Sequence, residues 1–171
     1  FDPARKRSLP PFPKQAVLIT SPTGAAVRDF LEVVRRRWQG IHVLIAPARV
    51  QGEGAAQEIV RAIQTAGRLQ PAPQVLVVAR GGGSTDDLAC FNDERVVRAI
   101  HASPIPVVSA VGHEIDVTLS DLVADVRALT PTEAAERIVP SSEEVLERLG
   151  QKQRRLLNGL RRRVREYQLR V

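Results

Sequence analysis

The sequence predicts an α/β fold: an open, mostly parallel, doubly wound sheet with flanking helices, followed by a long C-terminal helix. Three observations predict it. Short apolar runs recur along the chain, each followed by a helical pattern, in units of about 30 residues. The runs are nearly unbroken rather than alternating, which marks strands buried on both faces of a parallel sheet. After Pro140 the pattern changes to leucines at helical spacing among Arg and Glu.

Ala16–Thr20 (AVLIT) is the first strand. Val27, Phe30, Leu31 and Val34 mark one face of a helix that starts near Thr23. Ile41–Ala46 is the second strand, and Ala55–Ala66 the second helix, with Ile59, Val60 and Ile63 facing inward. Val75–Ala79 is the third strand, and Asp93–Ile100 the third helix. Ile105–Ala110 is the fourth strand, followed by a helical stretch at Val117–Val123. Right-handed crossovers would put helices on both faces of the sheet. Leu146, Leu149, Leu156, Leu160, Tyr167 and Val171 then follow spacings of three, seven, four, seven and four, the start of a long amphipathic helix or coiled coil.

Three segments follow. Residues 1–15 hold Pro3, Pro10, Pro11 and Pro13 and read as an extended lead-in. Residues 16–140 form the α/β domain, and 141–171 the start of the long helix. The net charge of +6 is unevenly placed: +3 in the lead-in, −2 in the α/β domain and +5 in the helix. Basic flanks on a near-neutral body suit contact with a polyanion such as nucleic acid, and equally suit two solvated ends. Arg outnumbers Lys 22 to 3, which fits phosphate contacts or biased codon usage. With 43% hydrophobic residues the chain can build a core. No apolar run reaches the length of a membrane span, and no signal-peptide pattern opens the chain. The single Cys90 excludes an internal disulfide framework. A cytoplasmic location is the expectation. The absence of Met suggests a chain cut from a longer one.

In open α/β sheets, ligands bind beyond the carboxyl ends of the strands. Thr20-Ser21-Pro22-Thr23-Gly24 leaves the first strand and opens a helix. Hydroxyls at a helix N-terminus make an anion site, or a plain helix cap. Arg80-Gly81-Gly82-Gly83-Ser84 leaves the third strand. Successive glycines let backbone N–H groups converge on a ligand, and Arg80 adds a forked cation, which together describe a phosphate cradle. It is not a Walker loop, since GxxxxGK[ST] is absent. Gly112-His113-Glu114-Ile115-Asp116 leaves the fourth strand. His113 can move a proton near neutral pH, and Asp116 could orient it, ligate a metal or cap the helix. The second His of a zincin motif is missing. Asp29, in the first helix, reads on its own as a surface charge. Asp121, Asp125 and Arg127 suit ligands or simple helix charges alike. Two phosphate signatures and a His/Asp pair at neighbouring strand ends imply phosphoryl chemistry. A non-catalytic phosphate- or nucleotide-binding α/β module is the alternative.

The same residues resemble the exonuclease VII large-subunit family. The resemblance rests on ITSPTGAAVRD (19–29), VQGEGAA (50–56), VARGGGS (78–84), FNDE (91–94), VVSAVGHEIDVT (107–118) and ADVRALTPTEAAE (124–136), in order along nearly the whole chain. It implies a bacterial cytosolic nuclease that degrades single-stranded DNA to oligonucleotides. It implies a preceding OB-fold module, a coiled coil continuing past Val171, and several copies of a small subunit bound along that coiled coil. It assigns catalytic roles to Asp29, Arg80, His113 and Asp116. Ser21, Thr23 and Gly81 to Ser84 are then expected to bind phosphates. Asp29 and Asp116 would hold a divalent metal such as Mg²⁺ only if one is used, and the resemblance leaves that open. Ile115 stands where the family often has Thr, and Ala89 where an aromatic is frequent.

Overall fold

The computed structural model describes residues 1–81, 85–112 and 116–169. Five strands form one sheet: β1 (Gln15–Thr20), β2 (His42–Pro47), β3 (Val75–Ala79), β4 (Val107–Ala110) and β5 (Val126–Arg127). Their order is β2-β1-β3-β4-β5, and every pairing is parallel.

Alternation along the strands divides the core into two layers. Ala16 and Leu18 of β1, Val75 and Val77 of β3, and Val108 of β4 face helices α1 (Ala25–Arg37) and α5 (Pro131–Ile138), where Phe30, Val34, Ala134 and Ile138 are buried. Val17 and Ile19, Leu76 and Val78, and Val107 face α2 (Ala55–Ala66) and α3 (Glu94–Ala102), where Ile59, Ile63, Val96 and Ile100 are buried. Helices therefore cover both faces, as expected. Full burial of each Val, Leu, Ile or Phe among them contributes about 1.5–3 kcal/mol. The central strands β1, β3 and β4 are continuous apolar runs because both their faces are covered.

β2 departs from that expectation. It is the sheet's edge, and Leu44 and Ile45 remain 40% and 42% exposed. Its apolar sequence looks like that of a central strand because composition does not encode position in the sheet.

Several boundaries also move. α1 starts at Ala25 rather than near Thr23, because Gly24 is its N-cap in extended conformation. The fourth strand begins at Val107, two residues later than expected. The next helix, α4, spans Leu119–Val123, because Thr118 and Asp121 form a capping box before it. β5, α5 and the 3-10 turn Thr85–Asn92 are additional to the expected elements. Two-residue β5 is too short for a periodic signal, although Thr130-Pro131 before Glu133 is a legible helix start.

The lead-in is held to the domain by Arg7. Its guanidinium donates to both oxygens of Asp125 and to the carbonyls of Ser103 and Ile105. Asp125 is therefore an anchor at the amino end of β4, and Arg7 is not free to meet a polyanion.

Contacts divide the chain into Phe1–Val139 and a second unit from Pro140 onward. The second unit is α6 (Ser142–Gln168), capped by the Ser141 hydroxyl, which accepts from the Glu144 N–H. Leu146, Leu149, Leu156, Leu160, Val164 and Tyr167 are all exposed on it. No described helix is long and apolar enough to cross a membrane.

Candidate active site

The strand order creates a break in the direction of winding. β2 lies on one side of β1 and β3 on the other. The turns after β1 and β3 therefore leave toward opposite faces and open a crevice at the carboxyl rim. A cleft of about 300 Å³ lies there. It is lined by Thr20, Ser21, Gly24 and Ala25 after β1, by Arg49, Val50 and Gln51 after β2, and by Arg80 and Gly81 after β3.

Each wall has a local reason. Gly24 offers no side chain to cap α1, so the helix's first N–H groups are not consumed by a cap. The Gly24 N–H itself turns back to the Ser21 carbonyl at 3.2 Å. Gly81 rests against the start of α1: a Cβ there would lie 3.8 Å from the Ala26 nitrogen. Arg80 is only 6% exposed and its N–H donates to the Ala110 carbonyl at 3.2 Å, which ties the ends of β3 and β4 together. A guanidinium, a helix N-terminus and hydroxyls thus share one small cleft, an arrangement suited to a phosphate group.

The turn after β4 leaves from the same rim, since Ala79 and Ala110 are in register. Gly112, at its start, has no room for a side chain. A Cβ on that residue would collide with the Asp116 carbonyl oxygen and lie 2.6 Å from Asp121 Oδ2. Asp121 is buried and accepts from the Ser109 hydroxyl at 2.7 Å, the Thr118 N–H at 2.9 Å and the Thr118 hydroxyl at 2.8 Å. Asp121 is thereby the clamp that holds this turn.

The expected site residues divide accordingly. Ser21, Arg80 and Gly81 come together in the cleft. Thr23 is exposed outside its lining, with its hydroxyl 3.5 Å from that of Ser21. Asp29 is exposed on α1, one turn beyond Ala25. Asp116 is half-buried on the clamped turn, outside the cleft lining. Gly82, Gly83, Ser84 and His113 lie outside the described residues. Among the described residues, no three His, Cys, Asp or Glu side chains gather as a metal cage. Mg²⁺ would need only one or two carboxylates plus substrate oxygens, and Asp29 and Asp116 are both oxygen donors open to solvent.

Arg49 and Gln51 join the expected segment that starts at Thr20 as lining residues. Their signal is position: both stand just past the carboxyl end of β2, beside the break in winding. Arg49 is paired with Glu58, Nε to Oε1 at 2.6 Å, and its N–H donates to Oε2 at 2.7 Å. Those bonds, the backbone one foremost, hold the Glu58 carboxyl below its ordinary pKa.

A family model described as "Exonuclease VII, large subunit" matches residues 1–171. The chain belongs to the exonuclease VII large-subunit family. Among its relatives is the exodeoxyribonuclease 7 large subunit of Rhodopirellula baltica, 55% identical over 88% of this chain and 35% of the relative. That of Syntrophotalea carbinolica is 55% identical over 96% of this chain and 44% of the relative. That of Tolumonas auensis is 52% identical over 99% and 38%. The chain thus spans 35–44% of the length of these exonuclease VII large subunits.

Proposed function

We propose that this chain is the catalytic part of a nuclease that hydrolyses phosphodiester bonds of single-stranded DNA to oligonucleotides, as the large subunit of exonuclease VII. The observation that carries the reading is the cleft at the break between β1 and β3, where Arg80, Gly81, Ser21 and the α1 N-terminus converge in a member of this family.

Arg80 and the backbone N–H groups of Gly81 to Ser84 hold the scissile phosphate and offset the charge that grows on its oxygens. Ser21 contacts a flanking phosphate oxygen, and Thr23, outside the cleft lining, adds only a weak outer contact. A water oxygen attacks phosphorus, the ester P–O bond breaks, and the departing sugar oxygen takes up a proton. His113 takes the proton from the water or gives one to the leaving oxygen, and Asp116 orients it. If Mg²⁺ takes part, Asp29 and Asp116 hold it, and bound there it would stabilise the phosphate charge.

The exposed apolar stripe of α6 would pack in a coiled coil and carry copies of the small subunit. The partners are then single-stranded DNA and that small subunit, in the cytoplasm, with no membrane. The test is cleavage of labelled single-stranded DNA by the full-length large subunit assembled with its small subunit, with and without EDTA. Arg80→Ala should lower kcat by about 10²–10³-fold, the scale for losing one preorganised donor. His113→Ala should abolish turnover. Wild-type cleavage by either variant, or tight mononucleotide binding with no turnover in the unaltered complex, overturns the reading.

A further inference from the structure

The cleft has a second wall that the hydrolysis above leaves unused. β1 lies between β2 and β3, so the turn after β2 bounds the cleft on the side away from Arg80. Thr20 pairs in register with Pro47, and the Ala48 N–H donates to the Thr20 carbonyl at 3.0 Å, which pins this turn to the rim. Gly52 and Gly54 turn the chain at φ of +78° and +81°. A Cβ on Gly54 would sit 3.1 Å from Arg49 Nη2, so that glycine leaves room for the guanidinium.

Arg49 and Gln51 are both exposed and line this wall, so a guanidinium and an amide border the cleft. Thr20, by contrast, is buried, and its Oγ1 is closed off from the cleft without a hydrogen-bond partner. A volume of about 300 Å³ is at the small end for ligand sites and suits a single nucleotide unit rather than a base pair.

We propose that Arg49 and Gln51 form a second subsite, which holds the phosphate and sugar of the nucleotide next to the scissile one. The proposal rests on the nuclease reading and adds its substrate grip. Arg49 contacts the neighbouring phosphate, and the Gln51 amide bonds to phosphate or sugar oxygens. Glu58 competes with that phosphate for the Arg49 guanidinium, which tempers affinity and favours release.

The test uses the full-length large subunit with its small subunit and a labelled oligo-dT. KM, kcat and thermal melting are measured, together with binding by anisotropy across a salt series. Arg49→Ala should raise KM about tenfold with kcat within about twofold, and reduce the slope of log K against log salt by about 0.7, the value for one single-strand phosphate contact. Arg49→Lys should retain that slope. Gln51→Ala should raise KM at unchanged slope, and Glu58→Gln should lower KM. Thr20→Val, which removes a buried hydroxyl without a partner, should raise the melting temperature and leave KM unchanged. Wild-type KM and slope in both Arg49→Ala and Gln51→Ala overturn the proposal. If the unaltered complex binds DNA without cleaving it, the nuclease reading fails by itself. The salt slope of Arg49→Ala then still decides the subsite.

Discussion

The Arg7 guanidinium meets the Asp125 carboxylate along two edges, Nε to Oδ1 at 3.0 Å and Nη2 to Oδ2 at 2.8 Å. Asp125 Oδ2 also accepts from the Val107 N–H at 2.8 Å, so one carboxylate joins the lead-in to the first residue of β4. Arg7→Ala would leave the buried Asp125 with a lost charged partner, at a cost of about 2 kcal/mol, typical of bonds to ionised groups. The melting temperature should fall by about 4–8 °C, given roughly 2–4 °C per kcal/mol at this chain size. Arg7→Lys should recover only part, because an ammonium lacks the fork that meets both oxygens. Calorimetry of the three proteins measures it.

The same pair makes stability depend on acid. Burial pushes the Asp125 carboxyl upward, but the bonds from Arg7 and from the Val107 N–H outweigh it and leave its pKa lowered. The carboxylate's contribution is therefore full above the unfolded value of about 3.9 and is lost as pH falls through the lower folded value. The stability gap between wild type and Arg7→Ala should hold from pH 7 to about 5 and close below about 4. Urea melts across that range, with a gap that stays constant down to pH 2.5, would exclude Asp125 as the titrating partner.

Gly112 has no room for a methyl group. The obstacles to a Cβ are a backbone oxygen of Asp116 and the buried Asp121 carboxylate, neither of which can swing away. Gly112→Ala should cost about 2–3 kcal/mol, the scale of overpacking. It should also suppress nuclease activity beyond what instability explains, since the displaced turn carries Asp116. Gly67→Ala is the control: at the far end of α2, its φ is −65° and a Cβ there meets nothing closer than 3.6 Å. It should change stability by less than about 1 kcal/mol and spare activity. Equal activity loss in both variants would contradict a special role for the Gly112 turn.

Much of this architecture could be read from the chain because its signals are local. The α2 helix and the β3 strand fall where their apolar patterns put them, and the wrap of helices over both faces follows from crossover handedness. Arg80 and Ser21 were legible as cleft residues because each follows a strand end in a motif with phosphate chemistry. Arg49 and Gln51 were not, because what makes them lining residues is that β2 adds beside β1 rather than beside β3, a fact of strand order. Asp121 and Asp125 looked alike in sequence. Their hydrogen-bond partners separate them, Ser109 and Thr118 for Asp121 and Arg7 for Asp125, into a clamp beside β4 and an anchor for the lead-in.

Ser21 and Thr23 stand two residues apart in one motif, yet only Ser21 lines the cleft. Thr23 is exposed, and its hydroxyl meets that of Ser21 at the outer limit of hydrogen-bond distance. A hydroxyl that donates to a phosphate oxygen makes a charged hydrogen bond, worth about 1.5–3 kcal/mol. Ser21→Ala should therefore reduce kcat/KM by about 10- to 100-fold, the same energy written as a rate ratio. Thr23→Ala removes no group from the cleft wall and should stay within about threefold of wild type, the effect of losing a weak surface contact. Neither position caps α1 through its side chain, so both variants should melt with the wild type. Assay of the full complex on single-stranded DNA separates the two. A larger loss in Thr23→Ala than in Ser21→Ala would mean that the substrate approaches over the α1 end from outside the cleft, and the phosphate site would have to be redrawn around Thr23.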